Sequence, residues 1–166
     1  MSGAFTIRRA RDGELEAAGD VVADAYRGMP GMDAGHGYLD VVRDARGRAR
    51  DVEVLVAVDA GGEVLGSVSY VADHASPYAE LEVEGESGFR MLGVRAAARG
   101  RGVGRALVEA CVERARADRR RGVAISTDPR WTNSHRVYER VGFQRAEERD
   151  FEPVPGVFLW AYVLEL

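Results

Sequence analysis

The 166-residue sequence has no lysine: all 23 basic residues are arginine. That excludes Schiff-base chemistry on a lysine and any phosphate loop that depends on one. There is one cysteine, Cys111, so a disulfide within the chain and a cysteine metal cluster are excluded. Long apolar runs are missing too. None approaches the roughly 18 residues of a membrane-crossing helix. The N-terminal stretch MSGAFTIRRARDGELEAAG lacks the apolar core of a secretory signal. A cytoplasmic protein is expected. The net charge of −4 gives no global attraction to nucleic acid or to an anionic membrane, and neither is expected as a partner.

What is present suits a globular chain. Hydrophobic residues make up 46% and charged residues 30%. The length predicts one domain, residues 1–166, with a substantial core. Alternating apolar and polar residues predict a strand at 5–9. Asp12 is a candidate cap for a helix burying Leu15, Ala18, Val22 and Ala25. A loop follows at 30–37 and a second helix at 38–48. Residues 52–59 and 64–72 read as a hairpin around Ala60, Gly61 and Gly62. Leu81 to Glu84 reads as a strand extension, and FRMLGV, from Phe89, as a short strand. A helix is predicted at 102–120 and a strand at 122–128. Another helix at 133–143 is ended by Gly142, and strands at about 144–151 and 157–165 close the chain. The order predicts an α/β fold, a single mixed, mostly antiparallel sheet flanked by helices on both faces.

The most informative stretch is RAAARGRGVGRALVEA, residues 95–110. Gly100, Gly102 and Gly104 alternate there, with Arg99, Arg101 and Arg105 around them. Glycine admits positive φ and lets a ligand approach the backbone. The first N–H groups of a helix lack internal partners, and the dipole makes that end partly positive. Strand, glycine turn and helix start together make an anion cradle. The dinucleotide pattern G-x-G-x-x-G fails, because Arg105 or Leu107 stands where the third glycine belongs. The helix that follows carries an apolar stripe, Val103, Ala106, Leu107, Ala110 and Cys111, so Cys111 reads as a small core hydrophobe. The basic run at 114–121 reads as a solvated helix end, with a nucleic-acid patch as the alternative.

Arg99-x-x-Gly102-x-Gly104 resembles the acyl-CoA signature R/Q-x-x-G-x-G/A of the GNAT family of N-acetyltransferases. SHRVYERVGF resembles that family's A-x-x-L-Y-x-x-x-G-F segment. Ser134 takes the alanine place and Val137 the leucine place, while Tyr138, Gly142 and Phe143 match. The resemblance implies an acyl-CoA N-acyltransferase fold and an N-acetyltransferase. It would use acetyl-CoA as co-substrate, without a metal, and transfer the acetyl group directly to a primary amine in a ternary complex. Main-chain donors over Arg99, Gly100, Arg101, Gly102, Val103, Gly104 and Arg105 would hold the pyrophosphate. Leu92, Gly93 and Val94 would pair with the pantetheine arm. Asn133 would contact that arm as well, since Trp131 stands at the family's usual asparagine place.

Direct transfer needs a neutral amine, a donor to the carbonyl oxygen and a proton for the leaving thiolate. The resemblance makes Tyr138 the general acid. Family members that carry a glutamate on the pantetheine strand have it near the position of Gly88. Glu86, one strand repeat earlier, is the candidate base among the alternating Glu82, Glu84 and Glu86. His135 reads as an exposed helix histidine. Tyr26 to Tyr38, with Met29, Met32 and His36, and the loops near Tyr78 and residues 150–155 would face the acceptor. The amine is unidentified, and a homodimer is left open. An acyl-CoA-binding or sensing domain of the same fold, without catalysis, is the alternative function.

Overall fold

The computed structural model describes residues 4–32 and 37–166. Its strands are β1 (Phe5–Arg9), β2 (Glu53–Asp59), β3 (Val64–Val71), β4 (Glu86–Val94), β5 (Gly122–Thr127), β6 (Gln144–Arg145), β7 (Phe151–Val154) and β8 (Val157–Glu165). They form one eight-stranded sheet, β1-β2-β3-β4-β5-β8-β6, with β7 paired to β8. Every pairing is antiparallel except β4 with β5. The helices are α1 (Leu15–Arg27), α2 (Tyr38–Arg43), α3 (Ala45–Arg48), α4 (Val103–Ala117) and α5 (Thr132–Val141).

Period-two alternation explains why helices cover both faces. Leu55 and Ala57 of β2 share a core with Val103, Leu107 and Cys111 of α4. Val54, Val56 and Val58, between and beyond them, share another with Leu15, Ala18 and Val21 of α1. Every residue of β3 is buried, and its two serines are satisfied inside: Ser67 donates to the Leu55 carbonyl and Ser69 accepts from the Arg48 Nε. Leu107 is wholly buried, so truncating it to alanine costs about 2–5 kcal/mol. Gly93 admits α1 to the sheet, because a Cβ there would stand 2.7 Å from the Val22 Cα.

Several boundaries differ from the sequence reading. A 3-10 turn at Asp12–Glu14 precedes α1, and the Glu14 carboxylate accepts the Arg11 N–H at 2.7 Å. The helix expected at 38–48 breaks at Asp44, whose side chain accepts from the Gly47 N–H. Leu81 to Glu84 forms no strand, and β4 starts at Glu86 instead of Phe89. The closing segment contains three strands, with a 3-10 turn at Glu147–Arg149. Gly142 ends α5 as expected, at φ 116°.

Most of the basic run at 114–121 is tied down internally. Arg114 pairs with Glu53, Arg116 with Glu113 and Arg120 with Asp73. Arg121 donates to the Glu84 carbonyl. Those contacts account for the run within the fold.

Candidate active site

The site begins where two strands part. β4 and β5 share only the pairs Glu86–Gly122 and Ser87–Val123. Beyond them β4 stays with β3, while β5 stays with β8. A bulge in β4, with Met91 at φ 57°, adds twist that carries β4 away. Extending the register puts Gly88 opposite Ala124, Phe89 opposite Ile125 and Arg90 opposite Ser126 across a widening gap. The main-chain edges of both strands face that gap.

The gap leads along Leu92, Gly93 and Val94 to the glycine turn. Gly100 and Gly102 hold φ 77° and 82°, a region that penalises a side chain. A Cβ on either would meet nothing within 4 Å, so the space in front of the turn is open. α4 starts after Gly102 with no side-chain cap. Its first N–H groups and the positive dipole end suit an anionic phosphate group. Gly104 has only an ordinary 3.6 Å approach to Val94, so the fold itself tolerates a side chain there. Val103 is buried at the helix start, whereas Arg99 is exposed and Arg101 half-buried. Arg105 is ion-paired to Glu109 at 2.8 Å. Asn133 is exposed on the first turn of α5.

The two faces of the gap carry different chemistry. On the α4 and α5 face, the Tyr138 ring packs against Phe89 at 5.8 Å and Tyr162 at 6.0 Å between centroids. Tyr162 pairs with Ile125, so Tyr138 spans the first wide rung of the gap. Its hydrogen-bonding neighbour is Ser134, and burial pushes the phenol pKa up. A phenol in that setting keeps its proton at neutral pH. His135 is buried, contrary to expectation. Its ring stacks on Trp160, its Nε2 lies 3.0 Å from the Asp128 carbonyl oxygen, and burial lowers its pKa.

On the α1 and α2 face lies a cleft of about 650 Å³. Tyr26, Met32, Tyr38, Glu80, Arg90 and Trp131 line it, with Phe158 from β8. The Trp131 indole donates to the Pro30 carbonyl at 3.1 Å and meets Tyr26 edge-on at 5.2 Å. Met29 packs behind this wall, and His36 lies outside the described residues. Glu80 bridges the two strands: it pairs with the Arg90 Nε at 2.8 Å and accepts from the Ser126 hydroxyl at 3.3 Å.

Glu86 is not brought to this cleft. It stands at the closed end of the gap, with 4% of its surface exposed. The Arg149 guanidinium donates to both of its carboxylate oxygens, at 2.9 and 2.8 Å. Burial works against the charged form, but those bonds and the Val83 N–H outweigh it and lower the pKa. A carboxylate held this way is a poor proton acceptor, and its contacts tie β4 to the turn that carries Arg149. Sequence patterning does not single out Glu80, Arg90 or Arg149: residues 80–84 form no regular element, and only folding brings Glu80 to Arg90 and Arg149 to Glu86.

The profile of the Acetyltransferase (GNAT) family matches residues 19–143. The chain belongs to the GNAT acetyltransferase family. Solved GNAT structures resemble it over nearly its whole length. A GCN5-related N-acetyltransferase from Kribbella flavida is 25% identical, with 98% of each chain covered and a TM-score of 0.69. The yncA protein from Salmonella typhimurium, solved with its cofactor acetyl-CoA, is 19% identical over 98% of this chain and 94% of its own, TM-score 0.70. A GNAT acetyltransferase from Brucella melitensis in complex with acetyl-CoA is 21% identical over 99% and 89%, TM-score 0.65. No curated protein sequence matches the chain. Among the described residues of this GNAT acetyltransferase, no helix is long and apolar enough to cross a membrane, and no group of three or more His, Cys, Asp or Glu is placed to hold a metal ion.

Proposed function

We propose that this protein is an acetyl-CoA-dependent N-acetyltransferase of one domain, acting on a primary amine of a small molecule or peptide in a ternary complex. The observation that carries the reading is the β4–β5 gap, which runs from two hydrogen-bonded rungs to an open glycine cradle at an uncapped helix start. Acetyl-CoA would supply the activated thioester. The first N–H groups of α4, at Gly102, Val103, Gly104 and Arg105, would hold its pyrophosphate. The exposed edge of β4 at Leu92, Gly93 and Val94 would pair with its arm. Arg99, Arg101 and Asn133 would add polar contacts at the rim.

Tyr138, kept protonated by burial, would give its proton to the leaving sulfur. The amine would enter from the opposite face, through the cleft walled by Tyr26, Tyr38 and Trp131. The charges at that wall are paired, Glu80 with Arg90 and Asp128 with Arg130, and the aromatic rings favour an amine with an apolar body.

Calorimetry with acetyl-CoA tests the binding half. Binding that collapses in Gly102→Trp is expected, and no binding to the unaltered protein overturns the reading. Thiol release from acetyl-CoA across a panel of primary amines tests the chemistry. Binding without turnover of any amine, with Tyr138→Phe inert, would support a non-catalytic acyl-CoA-binding domain.

A further inference from the structure

The β3–β4 loop places a carboxylate in the apex of the gap that neither the glycine turn nor Tyr138 accounts for. A Cβ added to Gly88 would overlap the Glu82 Oε1 and would stand 2.6 Å from the Ala124 carbonyl oxygen. Glu82 therefore fills the room left by the missing side chain of Gly88. This is the first rung at which β4 and β5 are no longer paired. Glu80, two residues earlier, spans the gap two rungs further out, between Arg90 and Ser126. The Tyr138 ring covers the rung between these levels from the opposite face.

We infer that Glu82, seated at Gly88, is the proton acceptor that neutralises the amine during acetyl transfer. This rests on the acetyltransferase reading above. The ammonium loses one proton, through a water in the cleft, to the Glu82 carboxylate, which becomes a neutral acid. The nitrogen lone pair then forms the N–C bond as the C–S bond breaks. The sulfur takes the Tyr138 proton, and the second proton lost from nitrogen restores Tyr138. Amide and thiol leave, and Glu82 returns its proton to solvent.

The surroundings suit the task. Burial raises the Glu82 pKa, and the neighbouring Glu80 raises it further. The backbone N–H groups of Glu80, Leu81 and Glu82 oppose that rise, one of them at 2.6 Å from Glu80. The other charged groups about the loop are mutually satisfied: Arg149 with Glu86, and Arg90 with Glu80. Arg149 also donates to the Leu81 carbonyl at 2.7 Å, which fixes the loop between the two acids. A desolvated carboxylate with a raised pKa, seated where the strands open, suits proton abstraction from an ammonium.

The test uses the full chain, acetyl-CoA and the best amine of the thiol-release panel. Glu82→Gln keeps an oxygen to accept the Glu80 N–H, so the loop stays in place. Its kcat should fall about 10²–10³-fold, while acetyl-CoA binding by calorimetry stays within threefold. The acidic limb of the wild-type pH profile should be replaced by one displaced to higher pH, where the rate follows the free-amine fraction. Glu82→Asp should keep the limb with reduced kcat. Glu84→Gln, two residues along at an exposed position, should match wild type. A Glu82→Gln enzyme with wild-type kcat and pH profile overturns the inference and leaves the acetyltransferase reading intact. No turnover of any amine by the wild-type protein overturns both.

Discussion

Arg149 grips Glu86 with two guanidinium hydrogen bonds and, with a third, holds the Leu81 carbonyl. One residue from the 3-10 turn after β6 thus ties the first residue of β4 to the loop that carries Glu80 and Glu82. Removing Arg149 would leave a nearly buried carboxylate without its cation, a type of loss that costs about 3–5 kcal/mol when both partners are buried. The Arg149 side chain is 23% exposed, so we expect roughly 2 kcal/mol for Arg149→Met by urea unfolding. The loop loses its tether as well, and kcat should drop while acetyl-CoA affinity holds. Unchanged stability would show that the pair contributes nothing.

A second ion pair sets an acid-sensitive window. The Arg8 guanidinium bonds both oxygens of Glu14, at 2.7 and 2.8 Å. With the Arg11 N–H, it lowers the Glu14 pKa from 4.5 to about 2. A depressed carboxylate stabilises the fold above its unfolded value and loses that contribution as pH falls toward its folded value. Stability should therefore decline between about pH 4.5 and 2 through this group. Glu14→Gln should show a shallower decline in thermal unfolding over that range. Parallel curves for the two proteins would refute the assignment.

The glycine turn separates stability from binding. Gly102→Ala meets no atom, so its folding cost is the positive φ alone, about 1–2 kcal/mol. The new methyl would stand in open space at the start of α4. Acetyl-CoA affinity should fall more than tenfold in calorimetry, beyond any effect of the small stability loss. Gly104→Ala lacks the φ penalty and should leave stability within about 0.5 kcal/mol.

Tyr138→Phe keeps the ring contacts with Phe89, Phe143 and Tyr162 and removes only the hydroxyl. Stability should change by less than about 1 kcal/mol, and kcat should drop about 100-fold. Because burial pushes this phenol up, no basic limb between pH 7 and 9 should belong to Tyr138. A wild-type limb there that disappears in Tyr138→Phe would contradict the burial argument.

Much of this was readable along the chain because it is local. A run such as EVLVAVD in β2 alternates between two cores, and its composition shows burial on both faces. The turn at Gly100 and Gly102 is set by backbone geometry that few other residues tolerate. Gly142 ends α5 for the same reason. These signals need only neighbours in sequence. His135 reads as exposed in sequence because its partners, Trp160 and the Asp128 carbonyl, come from β8 and from the residue after β5.

The sequence by itself determined most of the strand and helix order before the closing strands, the positive-φ glycine turn and the family motifs at 89–105 and 134–143. Each rests on periodicity or on the φ freedom of glycine, which act over a few residues. Only the tertiary structure decided which carboxylate sits where. Glu82 and Glu86 are four residues apart in one acidic segment and look alike in sequence. Folding sets Glu86 against a guanidinium 63 positions away and leaves Glu82 desolvated in the notch of Gly88. Charge state depends on distant neighbours and on water exclusion, and neither is fixed until the strands part.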